Sequence, residues 1–171
     1  PPDNNQNAVS TLKLATAGEV RALAEAADRA AKIAYGVNLA RTLSHEPPNV
    51  INPVTLAART AAIARRHKLR CKIIDDRQMK AMKMGAILAV GAGSASKPRI
   101  IILEHPGTRP KSKPVVLIGK ALTTDTGGYS IKPGDSIPDM KYDKCGGMAV
   151  IGALVAAAAL RLPQRVVGVI G

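Results

Sequence analysis

Apolar and charged residues alternate at helical intervals through residues 18–44. Alanine, valine, leucine and isoleucine recur every three or four positions there, and charged residues fill the positions between them. This pattern predicts one long amphipathic helix, which must end before the proline pair at 47 and 48 because proline cannot continue a helix. Asn52 and Pro53 then form an N-cap and first-turn pair, which predicts a second helix over 53–68.

Shorter apolar runs follow, and they alternate with further helical patterns. Strands are predicted at 70–75, 99–105, 115–120 and 165–170, a strand or tight turn at 86–93, and helices at 76–83 and 144–160. Strands that alternate with helices in this way predict an α/β fold, with a mostly parallel sheet flanked by helices. Val115 to Ile118 is predicted to be a buried strand, and an exposed sheet edge is expected at the final strand, after Ile170.

The composition restricts both the core and the partners. The 171 residues contain no Phe or Trp and three Tyr, so the core must be built from Ala, Val, Ile, Leu and Met. Proteins that bind single-stranded nucleic acid stack its bases on aromatic side chains. Because this chain has few aromatic residues, such a stacking surface is not expected. The net charge of +13 is spread along the chain, with clusters at 65–72 and 109–113. Spread basic charge attracts anions and aids solubility, but it does not identify a nucleic-acid partner.

The cysteines and the start of the chain bear on the compartment. Cys71 and Cys145 form no CxxC pair, which is typical of a reducing compartment. The polar start shows no signal peptide, and the longest uncharged stretch, Cys145 to Leu160, is shorter than a membrane span. We therefore expect a soluble cytoplasmic protein in which this stretch is a buried helix. The three histidines lack HExxH spacing and are expected in loops or on the surface.

Charged side chains are concentrated in a glycine-rich segment that follows the third predicted strand. Two of its lysines and two of its aspartates stand on either side of a glycine pair and are singled out by their spacing: Lys120, Asp125, Lys132 and Asp143. Loops at the carboxyl ends of parallel strands are where α/β proteins usually place their chemistry. Carboxylate oxygens bind Zn, Mn or Mg, a neutral lysine amine can join them, and a charged lysine can stabilise an oxyanion. The four side chains are therefore candidates for a metal site.

Each of these residues also has an ordinary structural explanation. A lysine and an aspartate after a strand commonly form a surface ion pair, two adjacent glycines form a turn, and an aspartate before a helix is an N-cap. Spacing alone leaves a metal site and a phosphate site open. The two common phosphate-binding patterns, GxxxxGK[ST] and GxGxxG, do not occur in the chain.

The joint spacing of the four residues is more specific than any one of them. The pattern GK-x4-D-x-GG-x-S-x-KP, followed by MKYD-x-x-GG, closely resembles the signature of the leucine aminopeptidase (cytosol aminopeptidase) family of dinuclear metallopeptidases. The resemblance covers residues 35–171 and includes NLARTLSHEPPNVINP upstream and VVGVI downstream. It implies an α/β catalytic domain and a metal-dependent aminopeptidase that releases an N-terminal, leucine-like residue from peptides.

The resemblance also implies a role for each matched residue. Lys120 and Asp143 match ligands of one metal ion, and Asp125 matches a ligand that bridges two. The implied cofactors are thus two divalent ions, Zn or Mn, which activate a water molecule. Lys132 matches the catalytic lysine that stabilises the tetrahedral intermediate, and Met140 matches a residue that lines the substrate side-chain pocket.

The chain departs from the family's pattern in three places. Thr124 and Thr126 replace the usual Phe and Ser beside the bridging aspartate, which alters packing more than chemistry. The family completes its site with an Asp and a Glu on an N-T-D-A-E-G-R segment whose Arg holds a bicarbonate ion, and the 171 residues do not contain that segment. We therefore expect a polar segment and connecting helix over 1–44, and the first part of a catalytic domain over 45–171. Alone, this incomplete site is expected to be inactive or nearly so.

Partners follow from the same resemblance. It implies a homo-oligomer, a hexamer in the family, that acts on peptides without associating with a membrane. The alternative is a non-catalytic relative that binds DNA or serves as a scaffold, which the positive charge keeps open. Finding an N-T-D-A-E-G-R-like segment beyond residue 171 would favour the enzyme.

Overall fold

A computed structural model describes residues 11–109 and 113–171. The first ten residues of the predicted polar segment lie outside the described residues, as do residues 110–112, which include Lys111 of the second basic cluster. The helices are α1 (Val20–His45), α2 (Pro53–Arg66), α3 (Asp76–Ala81), α4 (Gly85–Val90) and α5 (Cys145–Ala159). The strands are β1 (Arg70–Ile74), β2 (Ile100–His105), β3 (Val115–Gly119) and β4 (Val166–Ile170). Two short 3₁₀ helices, Gly134–Ser136 and Pro138–Tyr142, precede α5.

The second helix begins where its sequence predicts. The Asn52 side chain accepts hydrogen bonds from the N–H groups of Val54 and Thr55, each at 3.0 Å. The Thr55 hydroxyl in turn accepts the N–H of Asn52 at 2.9 Å, and Pro53 occupies the first turn. This reciprocal capping satisfies donors that a helix start otherwise leaves unpaired.

One predicted element is wrong. Residues 86–93, predicted as a strand or tight turn, instead form α4 and the turn after it. A short apolar run does not distinguish a strand from a helix, so packing decides between them. Ile87 and Leu88 pack as helical neighbours against a small core cluster that contains Met79 and Ile100.

The α/β class is confirmed, but the sheet is mixed and not mostly parallel. Its strand order is β1-β2-β4-β3. Among the strands that the structure describes, only β3 and β4 pair in parallel, whereas β2 is antiparallel to both β1 and β4. A single reversed strand therefore causes the difference, because β2 lies between two strands of the opposite direction. The parallel pair is connected through α5, as a crossover requires.

The exposed sheet edge lies at β3 and not at the final strand. Among the described strands, β4 is flanked by β2 and β3, so its edges are both paired. β3 is an edge strand, and the prediction that it is buried is wrong: Val115, Val116 and Ile118 are exposed, Ile118 to 82%. An apolar run indicates burial only where another element covers it, and no described element covers the outer side of β3.

The main core forms around α5, which packs against α1 on one side and the sheet on the other. Met148, Ile151, Leu154 and Val155 are completely buried there. This confirms that the uncharged stretch is a buried helix. Within residues 11–109 and 113–171, one segment, Gly134–Ala159, is long and apolar enough to cross a membrane, but half of its apolar stretch is buried inside the fold, as in the core helix of a soluble domain.

Candidate metal centre

The glycine-rich segment begins at the carboxyl end of β3, beside the end of β4 and the start of α5. The Gly147 N–H donates to the Lys120 carbonyl at 2.7 Å, and the Ala121 N–H donates to the Gly171 carbonyl at 2.7 Å. A Cβ on Gly119 would meet the backbone of Gly146. Glycine is therefore required before Lys120, because the end of β3 contacts the first turn of α5 directly.

The four predicted site residues form two ion pairs in one cluster. Lys120 Nζ lies 2.9 Å from Asp143 Oδ2, and Lys132 Nζ lies 3.4 Å from Asp125 Oδ2. The Lys120 charge also lowers the pKa of Asp125, so the two ion pairs influence each other. The structure thus brings together the two lysines and two aspartates that the sequence spreads over more than twenty positions.

Asp143 is the least satisfied member of the cluster. Its Oδ2 atom is buried and has no hydrogen-bond partner, although the Lys120 nitrogen lies 2.9 Å away. The contact is therefore electrostatic, without the angles of a hydrogen bond. A buried carboxylate oxygen without a hydrogen bond is costly unless another group completes its environment.

Asp125 is held in its charged form by its own loop. The Gly127 N–H donates to Asp125 Oδ1 at 2.8 Å and lowers the pKa of this carboxyl more than any other group does. Partial desolvation opposes this effect on the pKa, and Lys132 and Lys120 lower it further. Gly127 adopts φ +88°, and a Cβ there would meet the Ser130 carbonyl oxygen, so only glycine fits this turn.

Lys132 and Met140 complete the set of predicted site residues. The Lys132 N–H donates to the Thr126 carbonyl at 2.9 Å, which folds the loop back and brings the side chain to Asp125. Met140 lies in the second 3₁₀ helix and is partly buried. Its carbonyl accepts the N–H of Asp143 at 3.2 Å. The catalytic role of Lys132 and the pocket role of Met140 remain predictions.

Lys144 is a residue that the sequence reasoning missed. It is completely buried, and Nζ donates to the carbonyl oxygens of Ser44 at 2.9 Å, Glu46 at 2.8 Å and Lys141. Burial lowers the pKa of this amine, as does Lys141, whereas Cys145 and Glu46 raise it. One signal was available, because a cation directly before a long uncharged helix faces the positive end of the helix dipole.

The other candidates are structural. His105, expected in a loop or on the surface, lies buried in β2, and its Nε2 contacts the Leu162 carbonyl oxygen at 2.8 Å. His105 can be buried because this hydrogen bond replaces the water that the ring loses on burial. His45 lies at the end of α1, with its Nδ1 3.2 Å from the Tyr142 hydroxyl.

The donor set fits part of a divalent metal site. Among the described residues no group of three or more His, Cys, Asp or Glu side chains is placed to hold a metal ion. Two carboxylates and a lysine amine are nevertheless together, and Asp143 Oδ2 lacks a hydrogen bond. Asp143, Asp125 and Lys120 could therefore contribute ligands to a divalent ion, with further ligands needed to complete the coordination.

Known proteins match the chain over most of its length. A model described as the catalytic domain of the cytosol aminopeptidase family matches residues 38–171. A probable cytosol aminopeptidase of Cupriavidus taiwanensis is 42% identical over 171 residues, which are 99% of this chain and 33% of that protein. Another, of Nitrosococcus oceani, is 47% identical over 139 residues, which are 81% of this chain and 28% of that protein.

A solved structure has the same fold. The bottromycin maturation enzyme BotP, in complex with Mn, has a TM-score of 0.76 and 35% sequence identity to this chain. The alignment covers 91% of this chain and 32% of that one. The chain likewise spans only about a third of the length of the two probable aminopeptidases that it matches. The predicted family resemblance is confirmed.

Proposed function

Because this chain belongs to the cytosol aminopeptidase family, we propose that it supplies the first part of the catalytic domain of a metal-dependent aminopeptidase. The substrate is a peptide, from which the enzyme releases an N-terminal, leucine-like residue. The observation that carries the proposal is the cluster at the end of β3. Two lysines and two aspartates, in the family's order and spacing, lie together there as ion pairs.

Under this proposal, each ligand has a task. Asp143 and Lys120 would be ligands of one divalent ion, Zn or Mn, and Asp125 would be a ligand of both ions. When bound, the two ions supply Lewis acidity to water and to the peptide carbonyl. Lys120 would coordinate only as a neutral amine, so its ammonium group, which lies 2.9 Å from Asp143 Oδ2, would have to give up a proton to become a ligand.

Lys132 performs a different task from Lys120. Its ammonium group stays charged beside Asp125, 3.4 Å from Oδ2. A fixed positive charge near the reacting carbonyl stabilises the oxyanion that forms when water attacks, and this stabilisation is largest where water is excluded. Met140, three residues before Asp143, lines the pocket for the side chain of the released residue.

Support for a metal-dependent peptidase comes from the relatives. Two of them are named as probable cytosol aminopeptidases, and the structure of BotP is a complex with Mn. The full activity needs ligands and a bicarbonate site from a segment that these 171 residues do not contain. We further propose a cytoplasmic homohexamer for the complete protein. The DNA-binding or scaffold alternative is not favoured, since the similar proteins are named as probable aminopeptidases.

Manganese titration of the 171-residue chain tests the metal site. We expect Asp143→Asn to weaken binding of Mn²⁺ at least tenfold, whereas Asp139→Asn, an exposed aspartate in the preceding 3₁₀ helix, should leave binding unchanged. Equal affinities in the two variants would overturn the assignment of Asp143.

Hydrolysis of leucine p-nitroanilide tests the statement that the site is incomplete. The 171-residue chain should show little or no turnover with Mn²⁺ present. Substantial turnover that Lys132→Ala abolishes would show that the chain needs no further ligands, and would overturn this part of the proposal.

A further inference from the structure

Lys144 follows the metal-ligand candidate Asp143 directly, yet its side chain points away from the ion-pair cluster. Its ammonium group is completely buried and donates to three backbone carbonyls. Two of these carbonyls belong to Ser44 and Glu46, at the carboxyl end of α1. A helix leaves its last carbonyls without partners and concentrates negative partial charge there. Lys144 therefore caps α1 from a segment that lies 98 to 100 residues further along the chain.

A second contact ties the same segment to the same end of α1. The Tyr142 hydroxyl lies 3.2 Å from His45 Nδ1, and the two rings meet edge to face with their centroids 5.4 Å apart. Asp143 is thus flanked by two residues that contact α1. On its other side, Asp143 faces Lys120, whose carbonyl is fixed by the first turn of α5.

We infer that Lys144 is a positioning residue that fixes the Asp143 carboxylate for metal binding by fastening residues 141–144 to the carboxyl end of α1. The inference rests on the proposed function, since it assumes that Asp143 binds metal. It assigns α1 a part in the metal centre, beyond its place as a connecting helix. It also explains why a lysine occupies a position where the dipole of α5 disfavours a cation: its charge is used at the opposite end of another helix.

Substitution of Lys144 by methionine tests this role, because methionine keeps much of the length of the side chain and removes its donors. We expect folded Lys144→Met to bind Mn²⁺ about tenfold more weakly than the unaltered chain, the loss typical of residues that orient a ligand. The readout is the electron paramagnetic resonance signal of free Mn²⁺ during titration, which needs no turnover. Lys80→Met, at an exposed lysine of α3, is the matched control and should bind normally.

A conservative variant separates positioning from plain stability. Lys144→Arg keeps a cation with several donors but adds volume to a filled site, so it should lower the free energy of unfolding while recovering part of the Mn²⁺ affinity. Normal affinity in folded Lys144→Met, or an affinity in Lys144→Arg no better than in Lys144→Met, would overturn the inference. Amide hydrogen exchange at residues 141–143 should also speed up in Lys144→Met and not in Lys80→Met.

Failure of the two proposals can be told apart. If the unaltered chain binds no Mn²⁺, the metal site itself is wrong and the positioning role is overturned with it. If the chain binds Mn²⁺ and Asp143→Asn abolishes binding while Lys144→Met does not, only the positioning role is overturned. If Lys144→Met does not fold, Tyr142→Phe is the substitute test, because it removes only the hydroxyl that contacts His45. A loss of Mn²⁺ affinity in Tyr142→Phe supports the inference, and a normal affinity overturns it.

Discussion

Gly36 of α1 and Gly152 of α5 approach each other backbone to backbone. A Cβ on Gly36 would lie 2.5 Å from the Gly152 carbonyl oxygen, and a Cβ on Gly152 would meet the Gly36 carbonyl oxygen. The two helices therefore cross at a distance that only glycine permits on both sides. This crossing lies within the α1–α5 contact, and Lys144, directly before α5, donates to the end of the same α1 helix.

Gly36→Ala should destabilise the fold by about 1–3 kcal/mol, as overpacking of a filled contact usually does. The sign of this change is informative. In a helix without close neighbours, alanine in place of glycine would stabilise the helix by about 1 kcal/mol. Urea unfolding followed by circular dichroism measures the difference.

Gly85→Ala is the matched control for that substitution. Gly85 begins α4, and a Cβ there would contact nothing within 4 Å. The free energy of unfolding of Gly85→Ala should therefore equal that of the unaltered chain or be slightly higher. If Gly36→Ala proves as stable as Gly85→Ala, the close helix crossing is wrong.

Gly127→Ala should weaken Mn²⁺ binding more than Gly128→Ala does. Both glycines have positive φ, at +88° and +65°, so any side chain is strained at either position. Only Gly127 also lacks space, because a Cβ there would meet the Ser130 carbonyl oxygen, whereas nothing lies within 4 Å at Gly128. Since the Gly127 N–H holds the Asp125 carboxylate, the loss should appear in Mn²⁺ affinity by calorimetry. Equal losses in the two variants would contradict this.

Binding of Mn²⁺ should release a proton from Lys120, and the affinity should therefore rise with pH. The amine coordinates only when neutral, and in the free chain it is paired with Asp143 at 2.9 Å. Calorimetric titration in buffers of different ionisation enthalpy counts the released protons. Lys120→Met should bind more weakly and release fewer protons. An unchanged proton count in that variant would exclude Lys120 as a ligand.

His67 should make the fold less stable in acid. Burial, and then the neighbouring Arg66 charge, lower the pKa of this imidazole from its ordinary value. The unfolded chain therefore binds the proton more readily, so the contribution of His67 is present at higher pH and is lost as pH falls through histidine's range, about pH 8 to pH 5. Urea unfolding should show a smaller loss of stability on acidification in His67→Gln than in the unaltered chain. An identical pH dependence would mean that the ring titrates alike in both states.

The hydrophobic pattern predicted helices best where it ran over many residues or where a capping residue marked the start of the helix. The helix over 18–44 and the Asn52–Pro53 start of α2 agree with the structure because their signals lie within a few residues of one another. Pattern did not predict the direction of β2, since the chain between β1 and β2 contains α3 and α4 and could return in either direction. It also did not predict the exposure of β3, which depends on what covers the strand and not on the strand itself.

The candidate site divides in the same way. The order of Lys120, Asp125, Lys132 and Asp143 is visible in the sequence, and the family resemblance follows from it. The structure was needed to show that each lysine pairs with an aspartate across the loop. Lys144 remained unnoticed because its partners at the end of α1 are distant in sequence, so no short window contains the reason for its burial.

The hydrogen bond from Lys144 to Ser44 joins residues 100 positions apart. Closing so long a loop costs chain entropy before any contact compensates for it, and contacts of this kind slow folding. Asp143 should therefore reach its final position late, together with the docking of α1 on α5. Regain of Mn²⁺ binding during refolding should lag behind the recovery of helical circular dichroism, so the ion would serve as a kinetic reporter of complete assembly.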